Sequence, residues 1–211
     1  VAPPLLIAGL IIASGSATAI RAQEAGADRR PNIVIILADD LGWGDLGCYG
    51  QKLIQTPNLD RLAREGTRYT QAYCGTTVCA PSRTSLMTGL HSGHAPVRGN
   101  WEMPGEGQYP LPASTVTVAQ ILKTAGYATA ITGKWQLGHD LDLPKKFGFD
   151  EHCLWQHTRR PPRYANPGLE HNGRELDFNG GEYGPKLISD FALDFVTRHR
   201  AEPFFLYYPL G

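Results

Sequence analysis

Ile33-Val34-Ile35-Ile36-Leu37-Ala38, closed by Asp39-Asp40, is the stretch that decides the fold. A continuous run of β-branched and apolar residues suits a strand buried on both faces, as in a parallel sheet. Further along, Thr56-Pro57-Asn58 opens a helix, with Thr56 as N-cap, Pro57 in the first turn, Leu59, Leu62 and Ala63 as the apolar face, and Gly66 as the stop. Residues 67–73 read as a second strand, and a helix is expected over 82–90. Thr117-x-x-Gln120 is a capping box whose helix runs to Ala125, and a third strand follows over 127–132. Residues 143–184 are rich in Pro, Gly, Asn and charge and read as a long excursion with little regular structure, the kind of segment that binds. An amphipathic helix is expected over 187–200, with Leu187, Phe191, Leu193, Phe195 and Val196 facing the core. A last strand over 204–208 is expected to leave an unpaired sheet edge. Strands alternating with helices predict an α/β fold with a mainly parallel sheet flanked by helices.

The 211 residues suffice for one sizeable domain, and the 42% apolar content predicts a globular fold. Lys plus Arg number 20 and Asp plus Glu 20, so the formal charge is zero. That excludes an electrostatic case for binding nucleic acid or an anionic membrane surface, so any anion must be captured locally. Residues 5–13 form an apolar run followed by small residues, with Ala17-Thr18-Ala19 fitting the small-x-small rule and cleavage after Ala22 an alternative. Residues 1–22 therefore read as a signal peptide, 23–31 as a linker, and 32–211 as folded domain. The run is shorter than the ~20 residues of a membrane span, so export to the periplasm or medium is expected, with no stable membrane insertion. The spacing of Cys48, Cys74, Cys79 and Cys153 matches no zinc pattern. If Cys79 is reactive, the other three can form at most one disulfide.

Asp39 and Asp40 end the first strand, and ligands of open α/β sheets bind outside the carboxyl ends of strands. Adjacent carboxylates repel unless a cation is present, and hard oxygen ligands suit Ca²⁺ or Mg²⁺. An ordinary polar turn is the competing reading. Cys79-Ala80-Pro81-Ser82-Arg83 places a cysteine at a helix N-terminus, where N–H groups and the helix dipole favour negative charge. Arg83, four residues on, lies on the same helical face; a small buried cysteine is the alternative. Lys134, between Gly133 and Gly138 after the third strand, can reach the crevice of Asp39 or remain a solvated lysine. His91, His94 and His139 lie in Gly-rich loops and singly read as surface histidines.

Together these segments resemble the sulfatase family. Cys79-x-Pro81-Ser82-Arg83 followed by Met87-Thr88-Gly89 is similar to its signature, and the segment from Ile36 to Asp45 to its N-terminal metal motif. Gly126-Tyr127-x-Thr129 through Gly133-Lys134-Trp135, then Pro203-Phe204-Phe205-Leu206-Tyr207, resemble two further blocks in family order. The resemblance implies an alkaline-phosphatase-like α/β fold, incomplete here, with residues 32–211 the N-terminal portion of a catalytic domain. It implies a sulfuric ester hydrolase whose Cys79 is oxidised by a separate maturing enzyme to formylglycine. One hydroxyl of the hydrated aldehyde attacks sulfur and displaces the alcohol; the second then loses its proton and expels sulfate. Asp39, Asp40 and the matured Cys79 would hold a divalent cation, Ca²⁺ or Mg²⁺, that polarises the sulfate. Arg83 would hold the hydrate and Lys134 a sulfate oxygen. Where many members carry histidine two residues after the lysine, this chain has Gln136, which hydrogen-bonds but accepts no proton at neutral pH; His139 is the candidate substitute at the substrate. The family's further Asp-Asn ligands and second sulfate-binding lysine come from sequence beyond residue 211, so efficient turnover by these 211 residues alone is not expected. The substrate would be a sulfated small molecule or glycan. A phosphomonoester or phosphonate hydrolase of the same superfamily, an inactive fragment, and a sulfated-glycan-binding protein are the alternatives.

Overall fold

Six strands make one sheet in the order β1-β6-β2-β3-β4-β5 in the structure, a computed structural model that describes residues 30–100 and 109–211. The signal-peptide reading of residues 1–22, and most of the 23–31 linker, lie outside the described residues. The strands are β1 (Ile33–Leu37), β2 (Ala128–Gly133), β3 (Glu151–Trp155), β4 (Gly168–His171), β5 (Arg174–Asp177) and β6 (Phe204–Pro209). β1, β6, β2 and β3 run parallel, and β4 and β5 add an antiparallel hairpin. The helices are α1 (Pro57–Glu65), α2 (Cys79–Thr88), α3 (Val118–Thr124), α4 (Leu143–Lys146) and α5 (Gly184–Arg198).

Alternation along the strands sends side chains to two cores. Ile131 of β2 and Phe205 and Tyr207 of β6 face a cluster with Met87 of α2, Ala119 of α3 and Leu143 of α4. Phe149 stacks on Phe205 and Tyr207 there, with ring centroids 6.1 and 6.5 Å away. Ala130, Phe204 and Leu206 face the other way, onto Ala192 and Phe195 of α5. Burying side chains such as Phe205 and Phe195 is worth roughly 1.5–3 kcal/mol each. The capping box forms as expected: Gln120 N donates to Thr117 Oγ1 and Thr117 N to Gln120 Oε1 (2.9 Å). The Thr117 hydroxyl also donates to the Phe147 carbonyl at 2.6 Å, tying α3 to the end of α4.

Several expectations are corrected. β6 is no edge: it lies between β1 and β2, and the edge strands are β1 and β5. β1 is buried on one face only, since Ile33, Ile35 and Leu37 pack on the core whereas Val34 and Ile36 remain exposed. As an edge strand it has only β6 beside it, and no described element covers its second face. Helix α1 forms, but Leu59 and Leu62 are exposed. Polar contacts hold the segment instead: Asp60 Oδ1 accepts from Cys48 N (2.7 Å) and from the Thr56 hydroxyl (2.9 Å). That hydroxyl accepts from Gly47 N and so does not cap α1. Residues 67–73 form no strand, because no neighbouring strand lies beside them; Arg68 donates to the Cys48 carbonyl and Tyr49 to that of Tyr69. Residues 143–184 hold α4, β3, β4 and β5, and the loops between and after them are the irregular parts. Leu193 is 64% exposed rather than core. All four cysteines are unpaired thiols.

Candidate active site

Three strand or helix ends converge at the carboxyl end of the parallel sheet. Backbone bonds fix them: Leu210 N donates to the Leu37 carbonyl (2.8 Å) and Lys134 N to that of Pro209 (2.9 Å), lacing the ends of β1, β6 and β2 together. Gly133 makes the second bond possible. Its φ is +116°, and a Cβ there would lie 1.9 Å from the Pro209 carbonyl oxygen.

Asp39 follows β1. Its Oδ1 accepts from Arg83 Nη2 (3.0 Å) and its Oδ2 from Lys134 Nζ (2.7 Å). Burial pushes the Asp39 pKa up, but the hydrogen bonds and charges of Lys134 and Arg83 outweigh this and hold the carboxyl below its ordinary 3.8. Consecutive strand residues point to opposite faces. The left-handed backbone of Asp40, φ 55°, breaks that alternation, a conformation Asp tolerates better than most residues. Asp39, Asp40 and Cys79 each offer a ligand atom, and these atoms lie within 4.8 Å of one another.

Cys79 is the first residue of α2, and Ala80 N donates to Asn100 Oδ1 (3.0 Å), holding that end of the helix. Gly89 closes α2 in the left-handed conformation. Lys134 Nζ lies 3.6 Å from Cys79 Sγ as well as against Asp39. Arg83 is 1% exposed; besides Asp39 it donates to the Lys134 carbonyl (3.0 Å), so it braces both. The buried Tyr207 phenol lies close enough to feel Arg83; burial pushes its pKa to about 12, with Arg83 opposing. A cavity of about 320 Å³ opens over Asp39, Asp40, Cys79, Ser82 and Arg83.

Lys134 also lines a second cavity of about 450 Å³, with Gln136. Gln136 has φ 59°, and its amide oxygen is buried with no hydrogen-bond donor. His139 is exposed, beside Asp140, and lines neither cavity. Asn100 and Tyr207 were not legible as site residues: their contacts to Ala80 and Arg83 are long-range, and no local pattern marks them. The two carboxylates of this set suit a hard divalent cation, whereas the Cys79 sulfur is a soft donor. Each carboxylate oxygen has two lone-pair directions, so Asp39 accepts from its cations and still offers a pair.

A laced parallel sheet with acidic groups, a helix-N-terminal cysteine and a lysine at its carboxyl end defines an α/β protein of the alkaline-phosphatase-like class. A family model described as Sulfatase matches residues 31–211, and the chain belongs to the sulfatase family. It is 37% identical over 230 residues to an N-acetylgalactosamine-6-sulfatase of Rattus norvegicus, covering 92% of this chain and 44% of that protein. A steryl-sulfatase of Mus musculus is 47% identical over 147 residues, 64% of this chain and 23% of the relative. Among solved structures, Ps i-CgsB is 31% identical with TM-score 0.75, over 87% of this chain and 45% of that one. A protein solved in complex with its substrate D-glucosamine-2-N,6-O-disulfate is 30% identical with TM-score 0.73, over 86% and 34%. The chain spans less than half the length of the curated relatives it matches.

Proposed function

We propose that the whole protein hydrolyses sulfate esters of saccharides, with Cys79, matured to formylglycine by a separate enzyme, as nucleophile. The observation that carries this is the convergence of Cys79, Asp39, Asp40 and Lys134 at one helix N-terminus and two strand ends. Asp39, Asp40 and the Cys79 side chain would hold a divalent cation, Ca²⁺ or Mg²⁺, which supplies Lewis-acid polarisation of the sulfate when bound. Lys134 Nζ, within reach of both Cys79 and Asp39, puts a positive charge where sulfate oxygens gain charge in the transition state. Arg83 is a positioning residue: its guanidinium clamps the Asp39 carboxylate and the Lys134 backbone, and so fixes the distance between them. Gln136 lines the neighbouring cavity, on the side where the alcohol of the ester would lie, and the exposed His139 lines neither cavity. A saccharide alcohol is favoured because the mammalian N-acetylgalactosamine-6-sulfatases align over 87–92% of the chain and the Mus musculus steryl-sulfatase over 64%. Among the described residues no helix is long and apolar enough to cross a membrane; export through residues 1–22 belongs to the same proposal.

The test is to produce the whole protein with and without a formylglycine-generating enzyme, weigh the peptide containing Cys79, and assay matched sulfate and phosphate esters. The expected outcome is sulfate release that scales with the aldehyde fraction at Cys79. Full activity with an unmodified thiol would sink the nucleophile assignment, and faster phosphate release would favour a phosphoester hydrolase.

A further inference from the structure

The second cavity is chemically unlike the first. Lys134, Arg159, Arg160 and Arg163 line it, and no carboxylate does. Lys134 is paired with Asp39, which it shares with Arg83. Arg159 is paired with Asp177 at 2.9 Å and with Glu175 at 3.6 Å, both outside the lining. Arg163 differs: it is half-buried, lines this cavity and the narrower recess beneath it, and has no ion-pair partner among the described residues. A half-buried guanidinium without a counter-ion is a site prepared for an anion, and its planar fork suits a carboxylate or a sulfate.

The remaining polar groups say what the anion is attached to. Gln136 Oε1 and Gln156 Oε1 are buried acceptors without a donor, and Trp155 Nε1 is a buried donor without an acceptor. Each such group carries a desolvation penalty until it is satisfied. Hydroxyls both donate and accept, so a polyhydroxylated molecule matches the mixed donor and acceptor character of these lining residues. The exposed Tyr164 ring adds an apolar face at the rim. A volume of about 450 Å³ lies within the range of small-molecule sites.

We propose that this cavity is a subsite for a second anionic group on the saccharide, so that the substrate is an acidic sugar sulfate carrying a carboxylate or a further sulfate besides the ester that is cut. Arg163 is its specificity-determining residue. The inference rests on the reading of the Cys79 centre as the hydrolytic site, because Lys134, which lines this cavity, also lies 3.6 Å from Cys79 Sγ and so links the two.

The experiment uses the matured whole protein and four esters: an aryl sulfate, a neutral monosulfated sugar, a disulfated sugar and a sulfated uronate. The parent should prefer at least one doubly anionic sugar to the neutral one, and which of the two it prefers identifies the group. Arg163→Ala should lower kcat/KM for that sugar at least tenfold more than for the aryl sulfate, the scale of one lost charge-assisted hydrogen bond. Arg163→Lys should restore part of the difference. Calorimetric binding of the corresponding desulfated sugar anion, to parent and to Arg163→Ala, is the second readout. Binding that depends on Arg163 in a protein that turns over none of the esters would leave the subsite standing and overturn the hydrolytic reading. Turnover with no preference for the anionic sugars, or a loss in Arg163→Ala that is equal for all four esters, would overturn the subsite.

Discussion

Gly133→Ala and Gly50→Ala together test whether close backbone approach, rather than backbone conformation alone, seats Lys134. Both glycines have similar positive φ, +116° and +107°, so an alanine is conformationally strained at either, by about 1–2 kcal/mol. Their surroundings differ. A Cβ at Gly50 meets nothing within 4 Å, whereas at Gly133 it meets the Pro209 carbonyl oxygen at 1.9 Å. That oxygen is backbone at the end of an interior strand and accepts from Lys134 N, so it has little room to retreat. Relieving the overlap should cost about 1–3 kcal/mol, and losing the bond about 1 kcal/mol more. Gly50→Ala should therefore cost about 1–2 kcal/mol and Gly133→Ala about 3–6 kcal/mol, read as urea midpoints at equal slope. Because Lys134 is displaced with residue 133, only Gly133→Ala should also lower kcat/KM, by up to about a hundredfold. Equal destabilisation by the two substitutions would refute the close-approach argument, as would a Gly133→Ala protein of undiminished activity.

Lys134→Ala in the matured whole protein should lower kcat/KM by roughly a hundredfold or more, the usual loss for one preorganised electrostatic contact; a loss below about threefold would remove Lys134 from the chemistry. The buried Cys153 thiol is pushed up to about 12 by burial, with Glu170 adding to the shift, so it should resist alkylation in the native protein. The exposed Cys74 should label readily, and peptide masses showing both labelled at one rate would contradict this. Arg198 grips both oxygens of Glu151 (2.9 and 2.6 Å) and, against the opposing effect of burial, holds its pKa below 4.5, with His199 helping. A depressed carboxyl contributes stability above its unfolded value and loses it as pH falls through the folded one. Glu151→Gln should thus cost about 1 kcal/mol at neutral pH and make the acid limb shallower; a limb parallel to the parent's would refute it.

The convergence of Asp39, Cys79 and Lys134 was legible because strand ends and helix starts in an α/β sheet gather at one edge, and each residue sits just past a readable element. What Asp39 does there was not legible. Its two partners are 44 and 95 residues away in the chain, and no local pattern reports a contact at that range. The same limit explains β1: an apolar run has the same letters whether one face or both are covered, and coverage depends on what packs there. β3 hid for a different reason. Glu151-His152-Cys153-Leu154-Trp155 has no β-branched residue, and its polar His152 is buried only because Glu170 of β4 receives it. The β4–β5 turn was readable: Asn172-Gly173, with φ of 51° and 86°, is a two-residue hairpin signal, masked by the Pro, Gly and Asn around it.

The position of β6 sets a timetable. It is the last of the six strands in sequence yet lies inside the sheet, and its pairing with β1 joins residues 172 positions apart, as Asn32 and Phe204 are. At ~5–20 residues per second, a ribosome needs roughly 9–34 s to travel from one partner to the other. For that interval β1 has no hydrogen-bonding neighbour, and its apolar side chains are exposed on the nascent chain. Strand pairing over such a separation is also slow once both partners exist. Asp39 is thus fixed by a paired β1 only once β6 has been made, and until then β1 is a segment that holding chaperones would recognise.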